Sequence, residues 1–184
     1  MRKIEKIVVH WLGNGQPTWD MQTVRDMHIR GRGFRDIGYH RGVLHPAAQP
    51  GAEIPSDLIK QGRTLDSDLF ISDAEVGAHT LGMNRNSVGV LVFHGENFKS
   101  PMPELQKSAL KLTLDILVER FELSPQDVIG HRDVNATLCP GDEIYEFITQ
   151  YREGNLPHAT ILQTTAWVVD CCNPDCKGHA VRNR

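Results

Sequence analysis

The stretch G-H-R-D-V-N-A-T-L-C-P-G-D at 130–142 carries two residues that could hold a metal ion. His131 and Cys139 lie eight positions apart in it, between the apolar pair Val128-Ile129 and a predicted helix that begins after Gly141. A loop of this length can bring an imidazole and a thiolate together on one ion, and a nitrogen-and-sulfur pair suits zinc. Two ligands do not complete a site, so a third must come from elsewhere.

His10 is the candidate for this third ligand. It ends the run Ile7-Val8-Val9-His10, whose apolar, β-branched residues are typical of a buried strand. A histidine placed where such a strand leaves the sheet can point into a cleft. Two imidazoles and one thiolate would fill three of zinc's four positions and leave one for water, which is the arrangement of catalytic zinc sites rather than structural ones.

Four segments of the chain resemble the ordered motifs of one known family. They are V-V-H at 8–10, D-I-G-Y-H at 36–40, G-A-H-T-L-G-M-N-R-N-S-V-G-V at 77–90, and the stretch at 130–142. Their order and spacing resemble those of the zinc-dependent N-acetylmuramoyl-L-alanine amidases of the phage-lysozyme and peptidoglycan-recognition-protein type, the amidase type 2 family. The resemblance extends from about residue 6 to about residue 150, and four ordered motifs are far more specific than any one alone.

The resemblance implies roles for four further residues. Tyr39, in D-I-G-Y-H, would face the metal and either donate a hydrogen bond to the oxyanion or carry a proton to the leaving amine. Thr137 stands where some members have a lysine and others a threonine, and its hydroxyl could donate to the oxyanion. His79 is expected on the wall of the groove, in contact with substrate or the metal-bound species, and Asn84 is expected to bind substrate.

The resemblance also implies the reaction, the cofactor and the partners. Zinc held by His10, His131 and Cys139 would promote cleavage of the amide that joins the lactyl group of N-acetylmuramic acid to L-alanine in peptidoglycan. We therefore expect zinc as cofactor, peptidoglycan or a muropeptide as substrate, and a monomer that acts as a phage-type endolysin. The residue that takes the proton from water is not determined by the sequence.

Three other interpretations stay open at this point. The chain could be a non-catalytic peptidoglycan-binding module, although such members of the family typically lack the ligand cysteine, whereas this chain has Cys139 together with Tyr39. The metal could instead be structural, with the C-terminal tail as a protein-interaction segment. Cys139 could also be the nucleophile of a cysteine hydrolase, because a cysteine with nearby histidines fits that chemistry too.

Length and composition narrow the range of functions. The 184 residues are the size of one ordinary domain, with 40% hydrophobic and 23% charged residues and a formal charge of −3. This charge gives no support to binding of nucleic acid or anionic membranes, and no run approaches the roughly 18 apolar residues of a membrane span. The N-terminus shows no signal-peptide pattern, so we expect a protein that is cytoplasmic as synthesised and reaches the wall through a separate pore.

Hydrophobic periodicity predicts an α/β domain in which a mixed central sheet is flanked by about three helices. Strands are expected over 4–10, 38–45, 58–65, 87–93 and 127–131, and helices over about 19–31, 103–121 and 142–152. Thr18 is the expected N-cap of the first helix. Leu105, Ala109, Leu112 and Ile116 form the expected core-facing stripe of the second helix.

The amidase domain is expected to span residues 1–153, followed by a C-terminal extension of unknown role over 154–184. The extension contains a cluster of possible metal ligands, Cys171, Cys172, Cys176 and His179. Its spacing matches no standard zinc finger, so a second zinc site is the weaker alternative to a segment that binds no metal. His28 and His40 are expected to be structural histidines. The proline-containing segment 45–57 is expected to be a surface loop, and 66–73 a polar connection.

Overall fold

The computed structural model describes residues 1–156 of the chain. Seven strands lie in that part: β1 (Arg2–Lys3), β2 (Lys6–Trp11), β3 (Arg41–Val43), β4 (Ile59–Gln61), β5 (Phe70–Ile71), β6 (Ser87–Val92) and β7 (Val128–Gly130). Three α-helices accompany them: α1 (Met21–Asp26), α2 (Glu104–Arg120) and α3 (Asp142–Arg152). This arrangement confirms the predicted α/β class, a mixed sheet with three helices.

The central sheet has the strand order β4-β3-β6-β2-β7. Strands β3, β6, β2 and β7 run parallel, and β4 pairs with β3 in the antiparallel direction. Ile7, Val8, Val9 and Val90 are completely buried, as expected of parallel strands that are covered on both faces. Because the four parallel strands end at one edge, residues that follow them are brought together there, the usual place for a ligand site in an α/β sheet.

One face of the sheet, here called the α1 face, carries the side chains of the even-numbered residues of β2, among them His10. Gly42 of β3 shares this face, because it pairs with Leu91 of β6 and Leu91 pairs with His10. Helix α1 packs closely against Gly42, where an added Cβ would lie only 2.2 Å from the Sδ atom of Met21. A side chain at this position would therefore displace the Met21 thioether from its contact with the strand.

The opposite face, here called the α3 face, carries the odd-numbered residues of β2 and is covered by α2 and α3. Gly130 of β7 pairs with Val9 on this face, and a Cβ on Gly130 would lie 2.9 Å from the Tyr145 ring of α3. Helix α2 lies beside α3, where the Tyr151 hydroxyl donates a hydrogen bond to Asp115 at 3.0 Å. The sheet therefore lies between α1 on one side and the α2–α3 pair on the other.

Helix α1 begins later than predicted. The helix expected over 19–31 runs as an α-helix only from Met21 to Asp26 and continues as a π-helix over Met27–Gly31. The N-cap is Asp20 rather than Thr18, since the Asp20 carboxylate accepts a hydrogen bond from the Thr23 backbone N–H at 2.8 Å. Both residue types cap helices well, so the sequence pattern alone could not select between them.

The buried face of α2 is rotated relative to the predicted stripe. Its buried residues are Gln106, Ala109, Leu110, Thr113, Leu114 and Leu117, whereas Leu105 and Leu112 are partly buried and Ile116 is 48% exposed. The prediction left polar residues out of the core. However, the Gln106 amide donates to the Phe93 carbonyl at 3.1 Å, and the Thr113 hydroxyl donates to the Ala109 carbonyl at 2.7 Å. These hydrogen bonds offset part of the cost of burying the two polar side chains, although Oε1 of Gln106 has no hydrogen-bond partner among residues 1–156.

The predicted bounds of the other strands and helices agree with the structure to different degrees. Strands β6 and β7 and helices α2 and α3 end within one residue of the predicted positions. The strands expected over 38–45 and 58–65 are reduced to three residues each, β3 and β4. The expected loop 45–57 contains one 3-10 turn and the start of another, Pro46–Ala48 and Pro55–Leu58, and the expected connection 66–73 contains β5, which pairs with β1. Short elements of this kind lack the periodicity that identifies longer ones.

No helix within residues 1–156 has both the length and the apolar character that a membrane span needs. The cluster of Cys171, Cys172, Cys176 and His179 lies outside the described residues.

Candidate metal centre

The three residues expected to bind a metal converge at the carboxyl edge of the sheet. His10 is near the end of β2, His131 directly follows β7, and Cys139 lies in the loop before α3. Their potential ligand atoms all lie within 4.8 Å of one another. The Sγ atom of Cys139 is 3.7 Å from Nδ1 of His10, and the ring centroids of His10 and His131 are 4.6 Å apart. The fold thus places two imidazoles and one thiol around a common point.

Hydrogen bonds within the loop 131–141 hold the last two of these residues in place. The Arg132 backbone N–H donates to the Cys139 carbonyl at 2.9 Å, which joins the beginning of the loop to its end. The Asp133 carboxylate accepts from the Gly130 N–H at 2.9 Å and forms an ion pair with Arg152 of α3 at 2.7 Å. The loop is therefore fixed both to the end of β7 and to the last turn of α3.

The ring of His10 is held by polar contacts at Nε2, the ring nitrogen that does not face Cys139. His10 is 1% exposed, and its Nε2 lies 3.1 Å from Nδ1 of His79 and 3.2 Å from the Thr80 hydroxyl. When Nδ1 of His10 faces an ion, Nε2 carries the proton and donates it to one of these two acceptors. Metal-binding histidines commonly donate their second N–H to a neighbouring group, because this hydrogen bond fixes the tautomer and the ring orientation. Thr80 and His79 are therefore positioned to orient the first ligand.

His79 and Asn84 occupy positions different from those expected on a groove wall. His79 is buried behind His10, and the Asn84 side-chain oxygen accepts hydrogen bonds from the backbone N–H groups of His79 and Thr80 at 2.8 and 2.9 Å. Gly89 leaves room for the His79 ring, since an added Cβ there would lie 2.6 Å from it. The structure therefore places His79 in contact with His10, and Asn84 in contact with the backbone of His79 and Thr80.

His131 is oriented by a residue that the sequence reasoning missed. Its Nε2 lies 3.1 Å from the side-chain oxygen of Asn135, which can only accept a hydrogen bond. Nε2 therefore carries the proton, and Nδ1 keeps a lone pair for an ion. Asn135 lies four positions after His131 inside the same motif, and Thr80 directly follows His79. A search of the 130–142 motif for hydrogen-bond acceptors near His131 would have identified Asn135, whereas Thr80 lies 70 positions from His10 and meets it only in the folded chain.

Tyr39 lies beside the ligand cluster, with its ring centroid 5.1 Å from that of His10. His28 helps to position it: Nδ1 of His28 accepts the N–H of Gly38 at 3.0 Å, and the His28 and Tyr39 ring centroids are 5.6 Å apart. Desolvation, together with the nearby Cys139 sulfur, raises the pKa of the Tyr39 hydroxyl to about 12. The hydroxyl therefore keeps its proton at neutral pH and can act as a hydrogen-bond donor.

Thr137 and Cys139 lie two positions apart and differ in exposure. Thr137 is exposed, and its hydroxyl oxygen accepts the Cys139 N–H at 3.2 Å while its own proton stays available for another acceptor. Burial raises the pKa of the Cys139 thiol to about 11. Nucleophilic cysteines normally have a lowered pKa, so this environment is unlike that of a cysteine hydrolase. A divalent metal, by contrast, binds and stabilises the thiolate directly.

His40 is held by two backbone groups away from the ligand cluster. Its Nδ1 accepts the Gly89 N–H at 2.9 Å, and its Nε2 lies 2.9 Å from the Glu75 carbonyl oxygen. Burial lowers the pKa of His40 to about 4, so the ring is neutral at pH 7. These contacts agree with the structural role expected for this residue.

Comparison with known proteins gives a family match over most of the chain. Residues 1–142 match the family described as N-acetylmuramoyl-L-alanine amidase. Peptidoglycan recognition protein 1 of Bos taurus is 31% identical over 134 residues, which are 71% of this chain and 60% of the bovine protein. Peptidoglycan-recognition protein LB of Drosophila melanogaster is 25% identical over 154 residues, which are 84% of this chain and 56% of the fly protein. The chain thus spans less than two thirds of the length of these relatives.

Solved structures of related proteins share the fold. The wild-type Drosophila PGRP-LB structure superposes with a TM-score of 0.63 and 22% identity, covering 88% of this chain and 87% of the other. The N-acetylmuramoyl-L-alanine amidase LysC from Clostridium intestinale URNW gives a TM-score of 0.59 and 22% identity, covering 81% and 85%. The arrangement of sheet and helices is therefore shared with both proteins.

Proposed function

Because the chain belongs to the N-acetylmuramoyl-L-alanine amidase family, we propose that it is a zinc-dependent hydrolase of peptidoglycan. The bond cleaved is the amide between N-acetylmuramic acid and L-alanine. The observation that carries this proposal is the convergence of His10, His131 and Cys139 within 4.8 Å, with the Tyr39 ring beside them. A lytic role of the phage-endolysin type and a monomeric state are parts of the same proposal.

The donor set suits zinc better than a hard cation. Zinc accepts imidazole nitrogen and thiolate sulfur, whereas calcium and magnesium prefer oxygen ligands. In both histidines, the hydrogen bonds of Nε2 favour the tautomer in which Nδ1 offers a lone pair to zinc. For His10 the partner of Nε2 is His79 or Thr80, and for His131 it is Asn135. Bound zinc would supply the activation of water and the polarisation of the scissile carbonyl.

The neighbouring hydroxyls would stabilise the charge that develops on the carbonyl oxygen. Tyr39 stays protonated at neutral pH and lies beside the ligand cluster, so its hydroxyl is suited to donate to that oxygen. Thr137 would supply a second donor from the exposed side of the loop, but it carries no positive charge. Turnover is therefore expected to depend more on Tyr39 than on Thr137.

Recognition of peptidoglycan without hydrolysis is the second candidate function. The bovine and fly relatives are named peptidoglycan recognition proteins, and one related solved structure is a Drosophila PGRP-LB mutant in complex with tracheal cytotoxin. The complete cluster of His10, His131 and Cys139, together with Tyr39, favours hydrolysis for this chain.

Mass analysis of digested peptidoglycan tests the proposal, because the new termini identify the bond that is cut. The full chain is expected to release stem peptides with a free L-alanine amino group, to lose activity with a strong chelator and to regain it with added zinc. Binding to cell walls without new termini would make the chain a recognition protein. Activity that ignores the chelator but is lost on alkylation would make it a cysteine hydrolase.

A further inference from the structure

A concave site lies on the α3 face, at the same edge of the sheet as the candidate metal centre. It is a cavity of about 360 Å³, a volume within the range of small-ligand sites. Its walls come from the end of β2, the segment 94–101 that follows β6, and the first residues of α3. Aromatic rings and carboxylates occur together in these walls, which is unusual for a gap left by imperfect packing.

The cavity and the candidate metal centre share two short segments of chain. Cys139 belongs to the metal centre, while the next two residues, Pro140 and Gly141, line the cavity. In β2, the side chain of His10 is on the α1 face, and that of Trp11 is on the α3 face and lines the cavity. A polymer that lies across this edge of the sheet would therefore reach both sites.

Two aromatic rings form fixed parts of the cavity wall. Trp11 packs over Gly141, which has a φ of +81°, and an added Cβ there would lie 2.4 Å from the indole ring. Phe98 is held between two imidazoles, with ring centroids 4.8 Å from His94 and 5.4 Å from His45. Rings that are already held in place lose little conformational entropy when a ligand stacks on them.

A hydrogen-bonded pair forms another part of the wall. Nε2 of His94 lies 3.0 Å from one Glu143 carboxylate oxygen, and the other oxygen accepts the Met102 N–H at 2.8 Å. His94 is 6% exposed, and its Nδ1 has no hydrogen-bond partner among residues 1–156. Because the neutral ring donates from Nε2, Nδ1 is an acceptor. Nδ1 is itself enclosed by protein, so the His94–Glu143 pair acts as a fixed part of the cavity wall and not as a direct ligand contact.

The charges around the cavity disfavour an anionic ligand. Three carboxylates line it, from Glu96, Asp142 and Glu143, and the nearby cations are the Lys99 ammonium group and Arg132, which pairs with Asp142 at 2.7 Å. Carboxylates accept hydrogen bonds from hydroxyl groups, whereas a phosphate or a second carboxylate would be repelled. Aromatic rings for C–H groups, combined with hydroxyl acceptors on Glu96 and on the second Asp142 oxygen, are the features that recognise a neutral carbohydrate.

We propose that this cavity binds a neutral amino-sugar unit of the glycan strand, beside the muramic acid whose peptide reaches the metal centre. The identity of the polymer rests on the proposed function, but binding in the cavity does not require hydrolysis. A site of this kind makes the chain prefer a glycan polymer to a muropeptide that has a single sugar.

The binding test uses chitotetraose, a neutral N-acetylglucosamine oligomer without peptide, and the full chain. Nuclear magnetic resonance is expected to show shifts at the Gly95 and Gly141 amides and at the Trp11 indole N–H. Phe98→Ala should weaken binding by about two- to tenfold, the loss expected for one stacked ring. The matched control is Phe70→Ala, since Phe70 is 42% exposed on β5 and does not line the cavity.

Absence of shifts at the cavity, or equal affinity in Phe98→Ala and the wild-type chain, would overturn the proposal. Shifts produced by choline but not by chitotetraose would also overturn it, because they would identify a site for a cationic ligand. If Phe98→Ala does not fold, as judged from its melting temperature, Glu96→Gln replaces it and is expected to weaken binding.

The kinetic test separates this inference from the proposed function. Phe98→Ala should lower kcat/KM for peptidoglycan polymer while leaving kcat/KM for N-acetylmuramoyl-L-alanyl peptide unchanged. A chain that binds chitotetraose in the cavity but cleaves neither substrate would disprove the hydrolase proposal alone. A chain that cleaves both substrates equally in the wild-type and Phe98→Ala forms would disprove the glycan site alone.

Discussion

The two faces of the central sheet bury their side chains in different ways. Near its carboxyl edge, the α1 face buries three imidazoles, those of His10, His40 and His79. The α3 face is covered by aliphatic residues of α2 and α3, chiefly Leu110, Leu114, Ile144 and Ile148. Imidazoles on the α1 face need hydrogen-bond partners at specific distances, whereas the aliphatic side chains need only a matching volume. The imidazoles that bind or support the candidate metal centre therefore lie on the face whose buried side chains need specific hydrogen-bond partners.

Glycines make the polar face possible. An added Cβ on Gly77 would lie 2.7 Å from the His79 ring and 2.8 Å from the His40 ring, and one on Gly89 would lie 2.6 Å from the His79 ring. A face filled with aliphatic side chains would leave no space for these rings. We therefore expect substitutions on the α1 face to change metal binding and catalysis, and substitutions among the packed aliphatic residues of the α3 face, away from the cavity, to change stability. Four predictions test this contrast, beginning with the largest effect.

Cys139→Ala should remove the metal and the hydrolytic activity together. Two imidazoles would be left to hold zinc, and the loss of metal catalysis is expected to lower the rate by at least about 10³-fold. Zinc content by mass spectrometry and release of soluble peptide measure the two effects, while circular dichroism should show an intact fold. The matched control is Cys171→Ala, in the extension, which should retain hydrolysis. Normal zinc content and normal turnover in Cys139→Ala would show that the assigned site is wrong.

Tyr39→Phe should lower kcat by about 10²–10³-fold while the zinc content stays unchanged, because the loss of one oxyanion donor typically has this cost. The same substitution on the other face, Tyr151→Phe, is the control. It removes the hydrogen bond to Asp115 and should cost about 1 kcal/mol of unfolding free energy without an effect on kcat. An unaltered kcat in Tyr39→Phe would make this tyrosine a packing residue.

His79→Ala should weaken zinc binding by about 10–100-fold, since His79 helps to orient His10. The dissociation constant for zinc is measured by competition with a chelator. Leu114→Ala, a change of a completely buried residue on α2, provides the contrast: it should cost about 2–5 kcal/mol of unfolding free energy and leave the zinc affinity unchanged. Equal zinc affinities in His79→Ala and the wild-type chain would show that His79 does not help to position the metal ligand His10.

The stability of the zinc-free chain should fall as the pH is lowered from 6.5 to 4. The unfolded chain binds a proton at His40 near pH 6.5, whereas the folded chain keeps this ring neutral until the pH reaches about 4. Lower pH therefore favours the unfolded state across this window, by roughly 2–3 kcal/mol from His40. Urea unfolding of the wild-type chain and His40→Gln at pH 7 and pH 4.5 measures the difference. The same pH dependence in both proteins would contradict the assignment.

Much of the candidate site could be predicted from sequence because each ligand lies next to a clear local signal. His10 ends an apolar strand, while His131 and Cys139 belong to one loop that follows another strand. The carboxyl ends of parallel strands meet at one edge, so recognition of the strands and of the family motifs was enough to bring the three residues together. The bounds of α3 were predictable for a similar reason, since its periodic pattern ends at polar residues and glycine, and those of β6 because its continuous apolar run is followed by His94 and Gly95.

Only the tertiary structure decided which side chains contact those ligands and orient them. The contact between His10 and His79 joins residues 69 positions apart, and it depends on the register of β2 against β6 and on the space left by Gly89. Gln106 of α2 is another example. Its polarity predicts an exposed position, but it is buried because its amide donates a hydrogen bond to the Phe93 carbonyl. A sequence pattern reports the hydrophobicity of each residue along its own segment, whereas the partner that satisfies a buried polar atom comes from another segment and is known only once the two are packed.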